Sequence, residues 1–231
     1  AATLVGDTTS ILLGGYANMD FLDFFFMNGK LGMFFIVQAG ALATIPVLCY
    51  IFRNEHNKID EMPITNVRNI FPSIALVSTV VLLIAASFFQ NKPAITNGII
   101  CITLFAIALI YEITVNKTEG IAKGSFKSID FQTLLLLGGL FIIIQGITNV
   151  GLIEDIGNLF VRISGDNVFL IYTILVWFSV LVSAFIDNIP YVATMLPVVS
   201  TISAKLGVDP TVLYFGLLAG ATLGGNITPV G

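Results

Sequence analysis

The feature that most constrains this chain is a succession of apolar runs, each about long enough to cross a bilayer. A membrane-spanning helix needs about 20 apolar residues at roughly 1.5 Å each. Leu31–Phe52, Phe71–Gln90, Pro93–Tyr111, Phe131–Ile153, Asn167–Ile186, Asn188–Ala204 and Pro210–Gly231 all meet or approach that length, and none contains Asp, Glu, Lys or Arg. Six or seven such segments predict an all-α polytopic membrane protein. Composition agrees: 10% of residues are charged, against about 25% in soluble domains, and mean hydropathy is +0.96. A disordered chain, a nucleic-acid binder and an ordinary soluble enzyme are excluded. The net charge of −4 provides no basic face for phosphate. Cys49 and Cys101 lie inside apolar runs, without metal-ligand spacing. No segment reads as a cleaved signal peptide. With Ala1 opening directly into one apolar stretch and Gly231 closing another, the sequence reads as a fragment of a longer protein.

The two ends of the chain share a pattern. Ala2-Thr3-Leu4-Val5-Gly6-Asp7-Thr8-Thr9-Ser10 and Ala221-Thr222-Leu223-Gly224-Gly225-Asn226-Ile227-Thr228-Pro229 are identical at five of nine positions, at an offset of 219 residues. Asp7 stands opposite Asn226. A duplication on the scale of a domain is expected.

Loop charge sets a topology. The loops Arg53–Asn69 and Asn116–Asp130 lie two spans apart and carry six Lys/Arg. The opposite loops carry Lys30, Lys92, Arg162 and Lys205. The positive-inside rule places the first pair in the cytoplasm. Asn18–Lys30, Asn91–Lys92, Gly151–Asp166 and Lys205–Asp209 are then external. If Asn167–Ile186 and Asn188–Ala204 form one hairpin, the crossing count makes the two motif copies antiparallel. That is an inverted-topology repeat, common among secondary transporters.

Three stretches combine helix breakers with short polar side chains: Gly6–Ser10, Asp187–Pro190 and Gly224–Pro229. Backbone that leaves the helix in lipid exposes polar groups at several kcal/mol each, and is tolerated only where protein or a water-filled cavity satisfies them. Such breaks offer carbonyls to a cation and half-helix N-termini to an anion. Asp187-Asn188-Ile189-Pro190 fits the tip of a re-entrant hairpin, with Asp or Asn capping the returning helix and Pro in its first turn. Thr194 lies one turn further on the same helix face. Asp7 and Asp187 are the acids within these breaks, and a charge at bilayer depth marks a functional site by default.

Other polar residues read more plainly. Glu112 is an interfacial residue within reach of Lys117, and His56 a solvated loop residue. Asp20 and Asp23 flank the aromatic run Phe21–Phe26, an outer interfacial segment. Gly138-Gly139 suits close helix packing.

At the breaks the sequence resembles a known family. Ser183–Pro197, reading SAFIDNIPYVATMLP, and Gly220–Gly231, reading GATLGGNITPVG, are similar to the hairpin and second broken helix of the arsenite-permease and sodium/proton-antiporter group. That group belongs to the ion transporter superfamily, with the sodium–dicarboxylate symporters and the melanosomal P protein as relatives. Asp130–Leu135 resembles the opening of the second repeat, and Ala2–Asp7 the first broken helix. The resemblance implies inverted repeats, each with a re-entrant hairpin and a broken helix, in a homodimer working by alternating access. Residues 1–17 then close the first repeat, 18–115 form scaffold-type helices and loops, 116–130 are a cytoplasmic linker and 131–231 form the second repeat. It implies a site from Asp187, Asn188 and Thr194 on the hairpin, Gly224, Gly225, Asn226 and Thr228 on one broken helix, and Thr3, Gly6, Asp7 and Thr8 on the other. Asp187, Asn188 and Asn226 are the ligands expected for Na⁺. This sequence departs from the group's two prolines and asparagine after Gly6-Asp7, where it has Thr8-Thr9-Ser10, and from Gly-Thr-Leu after Asn226, where it has Ile227-Thr228-Pro229.

The function expected is secondary active transport of a small ion across a plasma membrane of bacterial type. The ion is an inorganic or organic anion, or the process is Na⁺/H⁺ exchange, with Na⁺ or H⁺ as coupling ion and no other cofactor. No G-x-x-x-x-G-K-[ST] motif is present, so ATP drive would require a separate subunit. A passive channel is the alternative. An intramembrane aspartyl protease using Asp7 and Asp187 is a remote one, since the duplicate of Asp7 is Asn226 and not a second acid.

Overall fold

The computed structural model describes residues 2–55, 69–89, 92–93, 95–115, 124–125, 127–165 and 167–228. His56, Lys58, Arg68, Lys117 and Pro229 lie outside the described residues, and with them most of the two loops expected in the cytoplasm. The chain divides into two compact units: Ala1–Met19 together with Asp130–Gly231, and Asp20–Ile129.

The unit Asp20–Ile129 contains three apolar helices, α2 (Met33–Ile51), α3 (Phe71–Ser87) and α4 (Thr96–Thr114). They are apolar all round and carry mostly exposed Leu, Ile, Val and Phe, as a lipid-facing helix must. Cys49 and Cys101 are exposed on α2 and α4. Phe71 and Tyr111 stack at 3.8 Å between α3 and α4. The aromatic run forms a short 3₁₀ helix (Phe21–Phe24) and a two-residue-per-strand hairpin, β1 (Phe26–Met27) and β2 (Lys30–Leu31). Asn28 and Gly29 turn that hairpin with φ of 51° and 74°, the left-handed pair that an Asn-Gly turn supplies. Asp20 and Asp23 serve this segment: the Asp20 N–H donates to Asp23 Oδ2 at 2.7 Å. Lys92 Nζ reaches Asp20 Oδ1 at 2.6 Å and donates to the Ala86 carbonyl at 2.9 Å. Two segments expected on the same side of the membrane are therefore ion-paired.

The other unit contains α1 (Thr8–Ala17), α5 (Phe131–Asn149), α6 (Leu152–Ser164), α7 (Val168–Ser183), α8 (Asn188–Leu206) and α9 (Thr211–Gly224). Asp130 caps α5 by accepting the Thr133 N–H at 3.0 Å. The Thr133 hydroxyl and amide hold its carboxyl below the usual carboxylate range.

The expected span Phe131–Ile153 ends earlier, at Asn149. Gly151, at φ 86°, turns the chain, and the segment expected as an external loop from Gly151 to Asp166 is largely helix α6. Its charges, Glu154, Asp155 and Arg162, disguised a buried stripe of Ile153, Gly157, Phe160 and Ser164 at helical spacing. This stripe packs α6 antiparallel on α8. A Cβ on Gly157 would meet Thr201 Cγ2 at 3.0 Å, while Lys205 binds Glu154 at 3.1 Å and Asn158 at 2.5 Å. Among the described residues nothing lies within 4 Å of a Cβ at Gly138 or Gly139, so no described segment packs closely on them.

Candidate functional site

α8 is the buried centre of its unit, with Val192, Val198, Val199 and Ile202 fully enclosed. It is followed by α9, whose glycines Gly216, Gly220 and Gly224 recur every fourth residue and so share one face. That face lies directly on α7. A Cβ on Gly216 would overlap the Tyr172 ring at 2.6 Å, one on Gly220 the Val176 carbonyl at 2.6 Å, and one on Gly224 Ser183 Cβ at 2.9 Å. Contacts advance in the same direction along both chains, so α7 and α9 run parallel. Their C-terminal ends are therefore level.

Beyond both of these ends the backbone leaves the helix. After α7 the chain turns through Ala184–Ile186 and reaches Asp187, extended at φ −52° and ψ 135°. It then starts α8 at Asn188, so the span expected as Asn167–Ile186 breaks before Asp187 and no kinked continuous helix forms. After α9 the chain turns through Gly225, Asn226 and Ile227 to Thr228. The two segments are bonded together. The Thr228 hydroxyl donates to the Ala184 carbonyl. The fully buried Ser183 hydroxyl touches both the Asn188 amide and the Ala221 carbonyl, the latter at 3.0 Å. A Cβ on Gly225 would overlap the Asn188 side chain, meeting its Nδ2 first and lying 2.7 Å from its Oδ1. Gly225 is glycine because the Asn188 amide occupies that space. One turn back, the Tyr191 hydroxyl donates to Ser179 Oγ at 2.9 Å, tying α8 to α7 antiparallel. Asp187–Pro190 is thus the tip of a helical hairpin.

The expected residues separate into groups. Asn188, Gly224, Gly225 and Thr228 meet at the tip. Asp187 is adjacent but exposed, with Oδ1 accepting the Ile189 N–H at 3.1 Å. Asn226 turns back along α9 and donates to the Thr222 carbonyl at 2.7 Å. Thr194 donates to the Pro190 carbonyl at 2.8 Å and lines a different space, an apolar cleft of about 540 Å³ between α6, α7 and α8. The first motif copy forms its own turn: the Gly6 N–H donates to Thr3 O at 3.1 Å, and Asp7 is extended before α1. Thr9 Oγ1 donates to Asp7 Oδ2 at 2.7 Å. The expected break Gly6–Ser10 therefore ends at Asp7. Thr8 and Thr9 are already helical, Thr8 exposed and Thr9 buried. Ser183, Thr9 and the carbonyls of Ala184 and Ala221 were not among the expected site residues. The four-residue spacing of Ser179 and Ser183 within an apolar helix was the signal for Ser183.

Among the described residues no three His, Cys, Asp or Glu side chains converge on a metal position. The tip and the α9 terminus offer amide, hydroxyl and carbonyl oxygens beside one carboxylate. Oxygen donors of this kind suit a hard cation better than zinc.

Comparison with known proteins agrees with this architecture. A family model described as citrate transporter matches residues 1–231. The chain is similar to an uncharacterized transporter of Mycobacterium tuberculosis, 30% identical over 237 residues, covering 100% of this chain and 53% of the relative. It is also similar to an uncharacterized transporter of Synechocystis, 23% identical over 247 residues, covering 99% of this chain and 54% of the relative. The human P protein is 36% identical over 110 residues, 45% of this chain and 13% of that protein. The chain spans about half the length of the transporters it matches along its whole length. No solved structure matches. Its apolar helices and these similarities make it an integral membrane protein of a transporter family, not of an enzyme family, and the chain belongs to the citrate transporter family of the ion transporter superfamily.

Proposed function

We propose that this chain forms part of a secondary active transporter that moves a small ion by alternating access, with Na⁺ or H⁺ as coupling ion. One observation carries the reading: two non-helical segments, the hairpin tip between α7 and α8 and the segment that follows α9, lie side by side at the ends of apolar helices and bond to each other. Interrupted helices meeting at one depth are how secondary transporters build an ion site within the bilayer. The family's description as citrate transporter favours an organic anion with carboxylate groups as the substrate.

The inverted repeat belongs to this proposal. Tyr16 in the last turn of α1 meets Tyr214 in the first turn of α9, with ring centroids 6.2 Å apart. From that pair Asp7 lies nine residues back and Gly225 eleven residues on. At a rise of 1.5 Å per residue these are about 14 and 16 Å. An antiparallel α1 and α9 would bring both breaks to one depth, as a pseudo-twofold axis in the membrane plane requires. A homodimer in a bacterial-type plasma membrane completes the reading.

Uptake by the full-length protein in proteoliposomes tests it. Imposed Na⁺ or pH gradients are combined with citrate, other di- and tricarboxylates or arsenite. Accumulation of a substrate above its external concentration is expected under one of the two gradients. Flux that only dissipates a substrate gradient would make the protein a channel.

A further inference from the structure

We infer that Ser183 is a positioning residue, and that its hydroxyl turns the Asn188 amide so that the oxygen faces Gly225 and the end of α9. The inference deepens the proposed function and rests on the reading of the hairpin tip as a cation site.

The argument is a count of protons. Ser183 Oγ is fully buried and lies against the Asn188 amide atom placed as Oδ1 and against the Ala221 carbonyl, at 3.0 Å from the latter. A hydroxyl has one proton to give and two lone pairs. A carbonyl can only accept, so the contact with Ala221 requires the Ser183 proton. If that proton went to the Asn188 oxygen instead, Ser183 Oγ and Ala221 O would face each other at 3.0 Å with only lone pairs between them. The arrangement that satisfies every contact has Asn188 Nδ2 donating to Ser183 Oγ and Ser183 donating to Ala221. This reverses the placed amide, whose Oδ1 faces Ser183 and whose Nδ2 faces Gly225; rotating an Asn side chain half a turn about its last bond exchanges oxygen and nitrogen without changing its shape. In that orientation Oδ1 occupies the side of the amide nearest Gly225, where no Cβ covers it.

The same relay operates one turn earlier on the same face of α7. Ser179 accepts from the Tyr191 hydroxyl on α8 at 2.9 Å and donates to the Leu175 carbonyl at 2.6 Å. Both serines take a proton from α8 and pass one to a backbone carbonyl. At Ser183 the consequence is electrostatic. A neutral amide presents either its oxygen or its NH₂ to the end of α9, and only the oxygen attracts a cation.

A double-mutant cycle read by ²²Na⁺ binding to the full-length protein tests this. Ser183→Ala lets the amide rotate freely and is expected to weaken Na⁺ binding about tenfold, the worth of one fixed hydrogen bond. Asn188→Asp replaces the amide by a carboxylate, which presents oxygen in either orientation. In that background Ser183→Ala is expected to change Na⁺ affinity less than about twofold. Equal losses in the two backgrounds would make Ser183 a packing residue and overturn the inference. Asn188→Ala separates the two levels. If it weakens binding while Ser183→Ala does not, the cation site stands and the role of Ser183 falls. If Asn188→Ala leaves binding unchanged, or the wild-type protein binds no Na⁺, both fall. Should Ser183→Ala not fold, Ser183→Cys keeps the volume with a much weaker donor and is read against the same outcomes.

Discussion

Asp187 is the residue on which sequence and structure speak most differently. Its place at a break in an apolar sequence marked it as a candidate ligand, and the break is there. Its carboxylate, however, caps α8 through the Ile189 N–H and remains exposed. Asp187→Asn isolates the charge, because the amide oxygen can still accept that N–H. The variant is expected to fold and reach the membrane with a melting temperature within a few degrees of wild type, while coupled uptake falls at least tenfold. Unchanged uptake with unchanged Na⁺ and pH dependence would reduce Asp187 to a cap and move the coupling charge to Asp7. Gly225 gives a complementary test. In Gly225→Ala the new methyl group overlaps the Asn188 amide, so uptake should drop severely with little loss of expression. At this scale the sequence located the tip and Asn188, but not the Ser183 relay. Hydrogen bonds between segments 38 residues apart, as Ser183 and Ala221 are, arise from helix packing and leave no local pattern.

Among the elements, α9 depends on close approach. Gly220→Ala places a methyl group 2.6 Å from the Val176 carbonyl and should cost about 1–3 kcal/mol through overpacking, lowering the melting temperature in detergent. Gly138→Ala on α5 meets nothing within 4 Å and should be neutral, or stabilising by about 1 kcal/mol through helix propensity. The start of α5 responds to pH. Because the Asp130 carboxyl is held below its ordinary value by Thr133, its capping contribution is complete above the ordinary carboxylate range. It is lost as pH falls through the depressed value. Amide exchange at Thr133, corrected for the intrinsic pH dependence, should therefore be protected at pH 6 and lose protection toward pH 3. Helix boundaries were legible where apolar runs stopped at Asn, Gly or Pro. α6 was not, because its charged residues outweighed its periodic buried stripe when the segment was read by charge alone.

For the whole molecule, the orientation expected from loop charge is open to direct measurement. In a background lacking Cys49 and Cys101, a cysteine at Asn28 should react with an impermeant reagent from outside sealed cells, and one at Glu55 only after permeabilisation. The reverse pattern would invert the topology. The Lys92–Asp20 ion pair already joins two segments assigned to the same face. The membrane class of the fold was legible because lipid permits so few backbone solutions. The parallel packing of α7 on α9 was visible only as a glycine every fourth residue, whose partner a sequence alone does not name.

One of the two units is assembled from both ends of the chain, and this has a consequence in time. α1 rests on α8, which the ribosome makes some 180 residues later. At roughly 5–20 residues per second that is a delay of about 10–35 s. Throughout it the buried face of α1, with Thr9, Ser10 and Leu13, lacks its contacts with α8 and α9. During biogenesis the face of this short helix, with Asp7 at its head, must be held by something other than α8 until α8 arrives. Its packing against α8 is therefore a late event relative to its own synthesis.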